Sequence, residues 1–171
     1  VRWGGLWRGL RAGLGLLVTL ARSKAPTQAG ERQARLWELY AQVARALSDV
    51  PGVRAEQVRA RSGAVVLVDV RPAVEREVSV IAGAISVDEL EAQAEQLAGR
   101  ELVLYCTIGA RSGAATRVMR ERGFDAYNLE GGVLAWTHVG GALERQGRPT
   151  HEVHVWSARF NLVADGYQGV W

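Results

Sequence analysis

Cys106 is the single cysteine among 171 residues, and it opens the run Tyr105-Cys106-Thr107-Ile108-Gly109-Ala110-Arg111-Ser112-Gly113. One thiol allows no intramolecular disulfide, so this side chain serves packing or chemistry. A free cysteine usually packs as a small hydrophobe. Here it stands where the continuously apolar stretch Leu102-Val103-Leu104-Tyr105 ends, with Gly109 and Arg111 close behind and a helical pattern from Ala114 onward. In open α/β sheets, ligands sit beyond the carboxyl ends of the strands. A helix start there offers unpaired N–H groups and a positive dipole end, which favour an anion. The same field, together with Arg111, favours thiolate over thiol. Gly109 lets the loop turn tightly enough for its amides to converge. The residue types and spacing therefore point to a sulfur nucleophile that carries or meets negative charge.

The surrounding pattern must supply the strand and the helix. Short apolar runs at 64–70, 102–105 and 126–129 alternate with helical stretches at 87–97, 113–122 and 133–139. Such alternation predicts an α/β fold, a parallel sheet flanked by helices. Val65 to Val68 and Leu102 to Tyr105 are apolar without alternation and read as buried central strands. Upstream, Leu36, Tyr40, Val43, Leu47 and Val50 mark one face of a helix over 31–50, which Pro51-Gly52 ends. Downstream, the segment 150–171 holds Trp156, Phe160, Tyr167 and Trp171, and its aromatic content predicts that it folds back onto the domain, with a partner surface as the alternative.

Composition narrows the classes. The length suits one domain plus extensions. With 48% hydrophobic residues and a net charge of +3, a wholly disordered chain or a basic nucleic-acid tail is excluded, and no nucleic-acid partner is expected. No uncharged run approaches the roughly 18 residues that a membrane-spanning helix needs. His151 and His154 lack further ligands nearby, so neither a metal nor any other cofactor is expected.

The front end differs in kind. Residues 1–24 carry Arg2, Arg8, Arg11, Arg22 and Lys24 and no acid, and Ala25-Pro26 closes the segment. Trp3, Leu6, Trp7, Leu10, Leu14, Leu17 and Ala21 share one helical face, while Arg8, Arg11 and Arg22 share another. Gly4, Gly5, Gly9, Gly13 and Gly15 each disfavour that helix in water by about 1 kcal/mol relative to alanine. A surface of anionic lipid would offset the cost, so this basic amphipathic segment predicts peripheral membrane contact by an otherwise cytoplasmic protein. A targeting peptide and a helix packed on the domain fit the same composition.

Several stretches in order resemble the rhodanese family of sulfurtransferases. Asp69-Val70-Arg71 with Glu75, Gly83-Ala84-Ile85, Tyr105-Cys106 through Gly109 and Arg111-Ser112, Gly123-Phe124, and Leu129-Glu130-Gly131-Gly132 with Trp136 match that family's pattern over about residues 53–143. Ser79-Val80-Ile81 departs from the histidine-containing triplet common in the family. The resemblance implies a transfer of sulfane sulfur from thiosulfate or a persulfide, through a Cys106 persulfide, to a thiol, a protein acceptor or cyanide. It implies that Thr107, Ile108, Gly109, Ala110, Arg111 and Ser112 bind the substrate, with Arg111 on the donor's anionic group. Asp69 and Arg71 would be supports that fix the loop. Related phosphatases place one more residue between cysteine and arginine, so the four residues Thr107 to Ala110 favour sulfur over phosphorus. Rhodanese-like domains also include non-catalytic regulatory or binding modules, the alternative reading.

Overall fold

The computed structural model describes residues 24–61 and 63–171. The amphipathic segment at 1–24 lies outside the described residues except for Lys24. No helix among the described residues is long and apolar enough to cross a membrane.

Helix α1 (Ala29–Ala46) buries Leu36, Leu39, Tyr40 and Val43 along one face. It ends before the expected residue 50. The residue preceding a proline is pushed out of helical space, and Asp49 turns outward to pair with Arg117. Then come β1 (Gly52–Val53), α2 (Ala55–Ala60), β2 (Val66–Asp69), α3 (Ala73–Arg76), β3 (Val80–Ile81), β4 (Ile85–Ser86), α4 (Val87–Ala92) and β5 (Leu102–Tyr105). The remaining elements are α5 (Ala110–Glu121), β6 (Ala126–Leu129), α6 (Gly132–His138), β7 (Leu143–Arg145), β8 (Arg148–Thr150), β9 (Glu152–His154) and β10 (Gln168–Val170).

Five strands form a parallel sheet in the order β1-β6-β5-β2-β4. Central β5 is buried at every residue, as its unbroken apolar run requires. Its alternating side chains feed two cores. Val103 and Tyr105 join the cluster beneath α1, whereas Leu102, Leu104 and Cys106 join the one containing Ala115 and Met119 of α5. Strand β2 differs from the fully buried strand expected, since Val66 and Leu67 are only half-buried. Its outer neighbour β4 pairs only Val68 and Asp69, so the first half of β2 has a partner on one side alone.

Two small sheets were not legible in the pattern. The first, β3-β7-β8, is antiparallel. Its β7–β8 turn places both Gln146 (φ 52°) and Gly147 (φ 73°) at positive φ, the geometry that matches strand twist in two-residue hairpins. The second pairs β9 with β10 in parallel. It seats the C-terminal segment on the domain, with Val153, Val155, Phe160 and Leu162 buried in the α1-side core.

Candidate active site

The β5–α5 junction presents Cys106. Gly109, at φ 102°, is the residue immediately before α5. Only glycine takes that backbone freely, and a Cβ there would come 2.9 Å from the Tyr40 ring. The helix therefore starts at Ala110, earlier than its apolar pattern indicated, and Arg111 and Ser112 lie in its first turn. The Gly109 N–H donates to Cys106 Sγ at 3.2 Å. The Ser112 hydroxyl lies 3.5 Å from the sulfur and donates at 2.7 Å to Asn128 Oδ1. Asn128 Nδ2 in turn donates to the Gly109 carbonyl at 3.0 Å, tying β6 to the loop.

The first two carbonyls of the loop are taken up by α6. Those of Cys106 and Thr107 accept from the Val133 and Leu134 amides at 2.9 and 3.2 Å. This contact explains Gly132, where a Cβ would fall 2.4 Å from the Cys106 carbonyl oxygen.

The arginine expected to meet the donor is engaged within the protein. Arg111 Nη1 and Nη2 donate to the two oxygens of Glu75 at 2.6 and 2.8 Å, and Nη2 also reaches Thr107 Oγ1 at 3.0 Å. Trp156 Nε1 donates to Glu75 Oε1 at 2.9 Å, and the Arg111 guanidinium carbon lies 4.9 Å from the centre of the Trp156 ring. Asp69 and Arg71 form a second buried pair. Asp69 accepts from Arg71 Nε and Nη2 and, at 2.6 Å, from the Tyr105 hydroxyl. Arg71 Nη2 also donates to the Ser79 carbonyl. Their bonds thus reach the residue before Cys106 rather than the loop amides. Sequence reasoning matched Glu75 to the family pattern without giving it a role, and it gave no site role to Asn128, Tyr40 or Trp156. An acidic residue shortly after Asp69-Val70-Arg71 was the available signal for the first; the others lie far away in sequence.

A small cavity of about 20 Å³ lies over the sulfur, with Cys106, Thr107, Ile108, Ala110 and Arg111 beneath and Trp156 and Phe160 above. Cys106 itself is 1% exposed. Burial disfavours its ionisation, but the Arg111 charge, the Ser112 hydroxyl and amide and the Gly109 amide together outweigh it and hold the thiol below its ordinary range. Burial likewise works against the Glu75 carboxylate, and the bonds and charge of Arg111, helped by Trp156 and Arg71, hold its pKa down. Among the described residues no three His, Cys, Asp or Glu side chains gather as metal ligands would. The site can therefore stabilise a sulfur anion on a short, amide-lined loop.

Residues 54–138 match the profile of the Rhodanese-like domain family, and the chain belongs to that family through this segment. An HTH-type transcriptional regulator of Mycobacterium tuberculosis is 38% identical over 133 residues, 66% of this chain and 58% of that protein. A tRNA uridine(34) hydroxylase of Rhodococcus erythropolis is 32% identical over 118 residues, 63% of this chain and 40% of that protein. Among solved structures, a thiosulfate sulfurtransferase from Pseudomonas aeruginosa superposes with a TM-score of 0.50 at 27% identity, covering 62% of this chain and 22% of that one. The chain thus spans about half the length of the curated relatives it matches.

Proposed function

We propose that the protein is a sulfurtransferase with Cys106 as the covalent sulfur carrier. The observation that supports this most directly is a buried thiol that accepts the Gly109 N–H and whose ionisation Arg111 favours. The thiolate attacks the outer sulfur of a donor R–S–SH. The donor S–S bond breaks, and its electron pair leaves on the inner sulfur, which takes up the proton as RSH. Cys106 is left as Cys–S–S⁻. With thiosulfate the leaving group is sulfite. An acceptor thiolate then attacks the terminal sulfur, forms its own persulfide and restores the Cys106 thiolate; cyanide in that role leaves as thiocyanate. Splitting one transfer into two displacements is the general gain of a covalent carrier.

The Thr107–Ser112 loop receives the negative charge of the persulfide through its amides, and the Arg111–Glu75 pair sets the field around it. A regulatory module without turnover is the competing role, and one of the relatives is a regulator. The test is intact-mass measurement after incubation with a sulfane-sulfur donor, followed by addition of an acceptor. One added sulfur atom, absent in Cys106→Ser and lost on addition of cyanide or thiol, supports transfer. A protein that never gains sulfur sinks the reading.

A further inference from the structure

We infer that Trp156 and Phe160, supplied by the C-terminal segment, select the donor, admitting the outer sulfur of an organic persulfide and turning away a sulfonate-bearing donor such as thiosulfate. This rests on the sulfur-transfer reading above and names its substrate class. Both residues lie outside the span 54–138 that matches the family.

The cavity over Cys106, about 20 Å³, has room for about one water-sized group. The outer sulfur of either donor fits that space. Discrimination falls on the group bonded to that sulfur, which must sit at the rim formed by Trp156 and Phe160. Thiosulfate places a sulfonate there, and a persulfide places a second sulfur bound to carbon. Arg111 is the charged residue lining the cavity, and both of its terminal nitrogens already bond Glu75, at 2.6 and 2.8 Å. The pair is neutral as a unit. The indole ring lies beside the guanidinium, so a sulfonate competes with Trp156 and Glu75 for it. His154, which senses Glu75, Arg71 and Arg111, is shifted toward its neutral form chiefly by burial and adds no cation. A sulfonate at this rim leaves water for a cation already paired with Glu75, which is costly. An organic tail gains from contact with the same aromatic surface.

The rim is held in place. Trp156 has φ 71°, and the Ser157 N–H donates to the Val155 carbonyl across it at 2.9 Å. That is a γ-turn of the positive-φ kind, a conformation rare for residues other than glycine. Such backbone persists where its surroundings over-determine it. Here the Val155 N–H donates to the Val170 carbonyl of β10 at 2.8 Å, Trp156 Nε1 donates to Glu75, and Phe160 is buried in the core. The unusual backbone thus lies at the residue that covers the thiol.

The test loads the full chain with thiosulfate or with glutathione persulfide at equal concentration and tracks the one-sulfur adduct on Cys106 by mass. We expect the persulfide to load at least about tenfold faster, the scale on which a pocket's shape and polarity discriminate, and Trp156→Ala to narrow that ratio. Equal loading of the wild type by both donors, or an unchanged ratio in a folded Trp156→Ala, overturns the inference and leaves sulfur transfer standing. No adduct from either donor overturns both. A measurement on the wild type alone guards against a variant that fails to fold. Neutral iodoacetamide should outpace anionic iodoacetate at Cys106 by a larger factor than it does with a small free thiol. The same factor for protein and free thiol also overturns the inference.

Discussion

The Asp69–Arg71 and Glu75–Arg111 pairs share one chemistry, a carboxylate and a guanidinium joined by short bonds, but they face different surroundings. Arg71 and Asp69 are sealed at 0% and 1% side-chain exposure. Their further bonds run to the Ser79 carbonyl and the Tyr105 hydroxyl. Arg111, at 8%, lines the cavity over Cys106 and holds Glu75, at 4%, by two short bonds. The sealed pair fastens the end of β2 to the end of β5 and so fixes where the thiol emerges. The bordering pair acts on the thiol through its field. A buried ion pair is weak grounds for net stability in general; its role depends on its neighbours. Substitutions in the two pairs should therefore fail in different ways.

The largest effect is expected from Asp69→Asn. It leaves Arg71 buried without its counter-charge and weakens the bond from Tyr105. Removing one partner of a buried pair costs about 3–5 kcal/mol, and urea unfolding should register a loss on that scale. A loss near that of an ordinary surface substitution, about 0.5 kcal/mol or less, would mean that the pair does not align the strands.

Arg111→Gln should cost less stability, on the order of 1–3 kcal/mol for a group left without its partner, because Trp156 Nε1 still donates to Glu75 and a glutamine amide can do so too. Its sharper signature is at sulfur. Burial continues to oppose ionisation of Cys106 while the largest favourable contribution, the Arg111 charge, is gone. The pH midpoint of Cys106 alkylation should fall below the ordinary 9.0 in the wild type and rise in the variant. An unmoved midpoint would make Arg111 as purely structural as Arg71.

A smaller effect is expected from the titration of Glu75. Its pKa in the folded protein lies below the ordinary 4.5, so the stability it contributes is fully present above that value and is lost as pH falls through the folded pKa. The bond from Trp156 should persist through pH 4.5 and break below it. Tryptophan emission of the wild type, compared with Trp156→Phe, reads that opening. A transition in the difference signal above 4.5 would contradict the depressed pKa.

The contrast between the pairs also marks where the sequence was readable. Cys106, Gly109, Arg111 and Ser112 are contiguous, and strand-end, turn and helix-start chemistry made their grouping legible. The parallel sheet was legible because Val65 to Val68 and Leu102 to Tyr105 are unbroken apolar runs. The start of α5 was missed by a few residues because apolar periodicity shows packing, and its first turn buries the polar Arg111 and Ser112. Glu75 meets Arg111 across 36 residues and Trp156 across 81. No local spacing encodes such contacts; the C-terminal aromatics predicted return to the domain but not the point of contact. Tyr40 was likewise counted in the helix stripe without any sign that its ring lies against Gly109.

The smallest effect, Ser112→Ala, is the most discriminating. Ser112 is fully buried, and its single proton serves one acceptor at a time. In the structure the shorter bond goes to Asn128 and the 3.5 Å contact to Cys106 is the weaker. Removing the hydroxyl leaves Asn128 Oδ1 without this donor, a loss of about 1 kcal/mol for a neutral hydrogen bond. The Gly109 N–H still reaches the sulfur, and Asn128 still holds the Gly109 carbonyl, so the loop should keep its shape. The hydroxyl ranks below the Arg111 charge among the causes that favour the thiolate. The alkylation midpoint should therefore rise in Ser112→Ala, but less than in Arg111→Gln. If the two variants move it equally, the hydroxyl governs the sulfur as strongly as the Arg111 charge.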